Sequence, residues 1–191
     1  MDRAIFLDRD GVVIENRPEY VRSWADVAFL PHALDALRLA CTAPFRLIMV
    51  TNQAGIGKGV IPAEVAADIN RRLIAEIVAH GARVDALYVC PHAPGESCSC
   101  RKPRPGLILQ AAAEHDLDLY HSLLIGDALT DLQAGYTAGV RNLALVKTGR
   151  GAEQLLLVQQ AFHSSYQVFP DLHAAIQAFL SGAGLASHSN S

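Results

Sequence analysis

Ala4-Ile5-Phe6-Leu7-Asp8-Arg9-Asp10-Gly11 is a run of four apolar residues that ends abruptly in an acid. Four consecutive apolar residues with no polar alternation suit a strand buried on both faces, and such strands belong to parallel sheets covered by helices. Working outward, similar short runs recur at Phe45–Val50, Val84–Val89, Ser122–Ile125, Arg141–Val146 and near Tyr166–Phe169. Helical patterns separate them. Pro31 opens a helix through about Ala40, with Leu34, Leu37 and Leu39 as its apolar positions. Pro62–His80 carries Val65, Ile69, Leu73 and Ile77 at a spacing of four, with Gly81 just past its end. Further helices are predicted from Pro105 to His115, over Leu129–Ala138, in the Leu- and Gln-rich stretch beyond Gly151, and over Leu172–Leu180. This alternation predicts an α/β fold: a doubly wound parallel sheet with helices on both faces. Residues 182–191 are rich in Gly, Ala and Ser and are expected to form a disordered tail.

With 191 residues, 51% of them hydrophobic, the chain can bury one good core, so a single domain over residues 1–181 is expected. The net charge of −3 and the lack of a basic run argue against nucleic acid as a partner. No stretch approaches the roughly 20 apolar residues that cross a bilayer, so no membrane partner is expected. The opening residues lack a signal-peptide pattern, which predicts a cytoplasmic protein whose four cysteines stay reduced. A monomer is expected, since no additional apolar helix face is evident.

Ligands of doubly wound sheets bind beyond the carboxyl ends of the strands. The chemistry-bearing residues fall there: Asp8 and Asp10 after the first strand, Thr51-Asn52-Gln53 after the second, Lys102 in the loop before the Pro105 helix, and Gly126-Asp127 after the next strand, with Asp131 four residues on. Taken singly, each has an ordinary reading as a cap, a polar turn or a solvated charge. Together they supply every part of phosphate-ester cleavage. Asp8, held rigidly at a strand end, is the candidate nucleophile that forms an aspartyl phosphate. Asp10 is the candidate acid for the leaving oxygen and base for the attacking water. Asp8, the Asp10 backbone carbonyl and Asp127 are the candidate Mg²⁺ ligands. Lys102 and the Thr51 hydroxyl are placed to hold the transferring phosphoryl oxygens. The partner implied is a small phosphorylated substrate.

Cys90-Pro-His92 and Cys98-Ser-Cys100 form a Cys₃His set, the donor pattern of closed structural Zn²⁺ sites. The intervening Ala-Pro-Gly-Glu-Ser cannot pack a core, so the metal is expected to organise the loop and, through it, the adjoining Arg101-Lys102. Cys41 reads as an inert core residue.

The ordered set Asp8-x-Asp10-Gly11, Thr51-Asn52, Lys102 and Gly126-Asp127-x-x-x-Asp131 resembles the motifs of the haloacid dehalogenase (HAD) superfamily of phosphatases, over about Ala4 to Gly149. The resemblance implies a HAD-like Rossmannoid fold, the nucleophile and acid/base roles given above, and Asp131 as a contact to Mg²⁺ through an intervening ligand or water. The stretches after the first and second strands leave no room for a full cap domain. Cys-Pro-His…Cys-x-Cys-Arg-Lys-Pro is similar to a subgroup that includes heptose bisphosphate phosphatases and histidinol-phosphate phosphatases. Thr51-Asn52-Gln53-Ala54-Gly55-Ile56-Gly57-Lys58-Gly59, Arg101-Lys102-Pro103-Arg104-Pro105-Gly106 and Val146-Lys147-Thr148-Gly149 favour the heptose group, and with it a sugar 7-phosphate as substrate. Histidinol phosphate, or a catalytically silent binding module, is the alternative. By the same resemblance, Arg101 reads the distal phosphate or sugar, and Asn16, Arg17 and Tyr20 line the sugar site with Asn52 and Gln53. The heptose group commonly carries Lys where this chain has Ala128.

Overall fold

A computed structural model describes residues 1–182. It contains a six-stranded, all-parallel sheet in the order β3-β2-β1-β4-β5-β6. The strands are β1 (Arg3–Leu7), β2 (Phe45–Asn52), β3 (Ala86–Cys90), β4 (Leu123–Gly126), β5 (Asn142–Val146) and β6 (Gln167–Phe169). The helices are α1 (Ala33–Ala40), α2 (Ala54–Gly57), α3 (Ala63–Ala79), α4 (Gly106–His115), α5 (Leu129–Ala138), α6 (Gly151–Ala161) and α7 (Leu172–Leu180). The tail expected over 182–191 lies, from residue 183 on, outside the described residues.

The two-residue period of the strands sorts their side chains between two cores. Ile5 and Leu7 of β1 and Leu47 and Met49 of β2 pack with α1, α3 and α7 on one face. Ala4 and Phe6, with Ile48 and Val50, pack with α4, α5 and α6 on the other. Both faces are thereby covered, which is why β1 reads as a continuous apolar run. Cys41 is partly buried against the first core, in keeping with a packing role.

Element boundaries differ from the sequence reading where pairing across the chain overrides local pattern. β2 extends two residues past Val50 because Thr51 and Asn52 keep pairing with Val89 and Cys90. β3 starts at Ala86 rather than Val84; Asp85 instead turns its carboxylate to accept the Leu47 N–H at 2.7 Å. The single turn α2 has no signature in the sequence, since Gly55 and Gly57 disfavour helix on intrinsic grounds. Tertiary contact supplies it: the Gly57 N–H donates to the Pro91 carbonyl at 2.8 Å, and a Cβ at Gly57 would strike the backbone of Pro91 and Ala93.

Strand order reverses between β1 and β4, where the chain passes from building one side of the sheet to the other. The carboxyl ends of β1, β2 and β4 lie side by side there, with Leu7 paired to both Met49 and Ile125. The segment between β1 and α1 holds one short 3-10 turn (Trp24–Asp26), and α2 and α3 follow β2 directly, so no cap domain covers this edge. No helix among the described residues is long and apolar enough to cross a membrane.

Candidate active site

Asp8 leaves β1 at the switch point, 7% exposed, with its Oδ1 accepting the Arg9 N–H at 2.8 Å. Lys102 arrives from the loop between β3 and α4. Its Nζ lies 2.9 Å from Asp8 Oδ1 and 2.7 Å from Asp131 Oδ1, and donates to the Val50 carbonyl at 2.8 Å. Asn52 places this lysine by a two-way clamp: its amide donates to the Lys102 carbonyl and accepts the Lys102 N–H, both at 3.1 Å. The other oxygen of Asp131 accepts the N–H groups of Asp127 and Ala128, tying the carboxylate to the start of α5. Asp127 Oδ2 accepts from Asn16 Nδ2 and from the Arg150 N–H, each at 2.8 Å. Two glycines make the crowding possible. Gly11 has φ +83°, and a Cβ there would overlap the Asp127 carboxylate; one at Gly126 would overlap Asp131.

Burial, the largest influence, pushes the Asp8 carboxyl up to about 7; Lys102 opposes it, and Asp131, Asp127 and Asp10 add to it. Asp127 is likewise raised, first by burial and then by Asp131, against the pull of Arg150. At Lys102 burial favours the neutral amine, but Asp131 and Asp8 outweigh it and hold the ammonium well above the usual lysine range. The site thus carries more negative charge than its own cations neutralise. Oxygens of Asp8, Asp127 and Asp131 lie within 4.8 Å of one another. A dry, all-oxygen, electron-rich set of this kind fits a hard divalent cation such as Mg²⁺.

Around this centre lies a cleft of about 590 Å³. Thr51 Oγ1, fully buried at the end of β2, is the one buried side-chain polar atom among the described residues with no hydrogen-bond partner. Asp10 opens onto the cleft and is gripped by the guanidinium of Arg9, Nε to Oδ2 and Nη2 to Oδ1, both at 3.0 Å. Asn16, Arg17, Tyr20, Asn52, Gln53 and Arg101 all line the cleft. Most of them are already engaged: Arg17 pairs with Glu15 at 3.1 Å and donates to the Asp26 carbonyl, and Arg101 donates to the His92 carbonyl. Tyr20 is a non-glycine residue at φ +68°, with Lys58 Nζ 5.5 Å from its ring centroid. Such a conformation persists only where surroundings enforce it.

The second cluster lies at the end of β3. Cys90 Sγ is 3.1 Å from Cys100 Sγ, 4.0 Å from Cys98 Sγ and 3.5 Å from His92 Nδ1. Cys100 Sγ is 3.3 Å from the same nitrogen. Burial, then the hydrogen bond with Cys100, pushes the Cys90 thiol up to about 12. Four soft donors converging at these separations fit a tetrahedral Zn²⁺, which would take the three sulfurs as thiolates. The Arg101 bond to His92 links the cluster to the cleft.

Three residues escaped the sequence reading: Arg9 and Arg150, which line the cleft, and Asn70, which is buried behind Arg9. Arg150 Nη2 lies 3.4 Å from Asp127 Oδ1, so a guanidinium stands beside the acid that Ala128 leaves without a neighbouring lysine. Its partner is 23 residues away in sequence. The Gly149-Arg150 pair after β5 was the available signal, since it too follows a strand.

A family model described as HAD-hydrolase-like matches residues 99–175. A D-glycero-beta-D-manno-heptose-1,7-bisphosphate 7-phosphatase of Bordetella bronchiseptica is 34% identical over 181 residues, covering 95% of this chain and 99% of that protein. A D-glycero-alpha-D-manno-heptose-1,7-bisphosphate 7-phosphatase of Mycobacterium tuberculosis is 41% identical over 138 residues, covering 70% of this chain and 71% of that protein. The crystal structure of D,D-heptose 1,7-bisphosphate phosphatase from B. bronchiseptica, complexed with magnesium and phosphate, superposes with a TM-score of 0.88 at 34% identity, covering 94% and 99% of the two chains.

Proposed function

The chain belongs to the D-glycero-D-manno-heptose-1,7-bisphosphate 7-phosphatase family of HAD-like hydrolases, and from that premise we propose that it removes the 7-phosphate of a heptose 1,7-bisphosphate. The observation that carries this reading is the convergence of Asp8, Lys102, Asp127 and Asp131 at one switch point, roofed by no cap.

Asp8 attacks phosphorus and the bond to the sugar oxygen breaks, while Asp10 delivers its proton to that oxygen. Water then attacks the aspartyl phosphate, its proton passes to Asp10, and inorganic phosphate leaves with Asp8 regenerated. Lys102 keeps Asp8 oriented and neutralises the phosphoryl group as charge spreads over its oxygens. The unpartnered Thr51 hydroxyl is free to donate to one of those oxygens. Mg²⁺, which Asp8, the Asp10 carbonyl and Asp127 would hold, supplies the positive charge that lets an anionic substrate approach a cluster of carboxylates. The cleft lining also presents Arg17 and Arg101 against Glu153, a balance that suits a second phosphate rather than an amine. Helices α1 and α3–α7 all pack onto one sheet, and on that ground we read residues 1–181 as one domain. We further propose that it acts as a monomer in the cytoplasm.

Mg²⁺-dependent phosphate release from the α and β anomers of heptose 1,7-bisphosphate and from histidinol phosphate tests the reading directly. A strong preference for a bisphosphate, abolished in Asp8→Asn, is expected. Preference for histidinol phosphate would overturn the substrate assignment, and release unaffected by Asp8→Asn would overturn the mechanism.

A further inference from the structure

Arg9 sits between the two catalytic acids in sequence, yet it is only 5% exposed and its side chain is fully committed. Nε and Nη2 grip both oxygens of Asp10, and Nη1 donates to Asn70 Oδ1 at 2.8 Å. Asn70 belongs to α3, 61 residues away, and its Oδ1 also accepts from Gln53 Nε2 at 3.0 Å. It is the one polar residue on the buried face of α3, among Ala66, Ile69, Leu73 and Ile77. A chain of side-chain bonds therefore runs Asp10–Arg9–Asn70–Gln53, joining the loop after β1, the loop after β2 and the helix wall of the cleft.

We propose that Asn70 and Arg9 are positioning residues for Asp10, fixing the plane of its carboxyl group so that it faces the leaving oxygen of a sugar phosphate. The inference rests on the phosphatase reading above. The physical argument is directional. A carboxyl group on a single short side chain swings about two torsions, and proton transfer needs it within hydrogen-bond reach of one particular oxygen. A forked guanidinium held at both carboxylate oxygens removes that freedom. The guanidinium must itself be held from behind, and Asn70 does so from a rigid helix rather than a loop. Asn70 acts through its acceptor oxygen alone, since both bonds end on Oδ1.

Leaving groups separate this role from a merely structural one. An alkyl sugar oxygen leaves poorly without a proton, whereas p-nitrophenolate leaves unaided. Asn70→Leu removes the acceptor while keeping the bulk. It is expected to lower kcat/KM for the sugar bisphosphate by roughly 10–100-fold, part of the usual worth of general acid catalysis, and that for p-nitrophenyl phosphate by less than about threefold. Asn70→Asp, which keeps an acceptor at the same place, should restore the wild-type ratio of the two substrates. If Asn70→Leu shows no cooperative melt, Asn70→Ala takes its place in the same comparison. Equal losses on both substrates, or no loss on either, would overturn the positioning role while leaving the phosphatase reading intact. A wild-type enzyme that releases phosphate from neither would overturn both.

Discussion

Asp8 carries the sharpest electrostatic tension in the molecule, and its sign can be followed through to stability. Its carboxyl group sits near 7 in the folded chain against an ordinary value of 3.8. The folded state therefore binds this proton more tightly than the unfolded chain, and the associated stability is full at low pH and lost as pH rises through about 7. A divalent cation competes with that proton for the same oxygens. In chelator, the melting temperature should fall between pH 6 and pH 8, and a fixed millimolar Mg²⁺ concentration should raise it more at pH 8 than at pH 6. An equal Mg²⁺ increment at both values would remove Asp8 from the cation site. Thr51 offers a cleaner separation of stability from function. Its buried hydroxyl has no partner, so Thr51→Val should leave the melting temperature unchanged or higher. The same substitution should cut kcat/KM by on the order of 10²-fold if the hydroxyl donates to the phosphoryl group. A melt lowered as much as the activity would show a structural hydroxyl instead.

At the scale of elements, the loop from Cys90 to Lys102 joins the metal-ligand cluster to the cleft, as the adjacency of Cys100 to Arg101-Lys102 in the sequence implies. Its donors come from both ends of the loop, and Arg101 and Lys102 enter the cleft directly after the last of them, Cys100. One Zn²⁺ per chain is expected by elemental analysis. Cys100→Ser should lose that ion and reduce phosphatase activity by roughly 10–100-fold, the usual cost of loosening the groups behind a site. A variant that lost zinc yet kept full activity would show that the Asn52 clamp and the bonds of Nζ suffice to place Lys102. Legibility at this scale was uneven. The bounds of α5 and α7 match those the sequence predicts, because α5 starts at a strand exit and ends at Gly139, while α7 is capped by Asp171 and filled with good helix formers. The single turn α2 was invisible, because two glycines argue against helix and only the Pro91 carbonyl argues for it. The network from Asp10 to Asn70 was equally hidden. Asn70 interrupts an apolar helical stripe, and nothing local says which distant arginine will satisfy it.

Across the whole molecule, the two cores meet only through the sheet, and β1 is its centre. Phe6 is wholly buried in the core formed with α4, α5 and α6. Phe6→Ala should cost about 3–5 kcal/mol by urea unfolding, the transfer of the ring plus the cavity it leaves in a fully buried position. A cost near 1 kcal/mol would mean that the α4–α6 layer relaxes freely. What the sequence determined by itself was the periodic part: short apolar runs alternating with helical stripes, acids at strand ends, and a Cys₃His set in one loop. Such features are local, and the two-residue and 3.6-residue repeats write them directly into residue order. Strand order, the meeting of Asp8 with Lys102 and Asp131, the approach of Arg150 to Asp127, and the Arg9–Asn70 bond were decided only by the tertiary structure. Each joins segments far apart in sequence, and their partners are selected by the packing of two helical layers on a twisted sheet, which no single segment encodes.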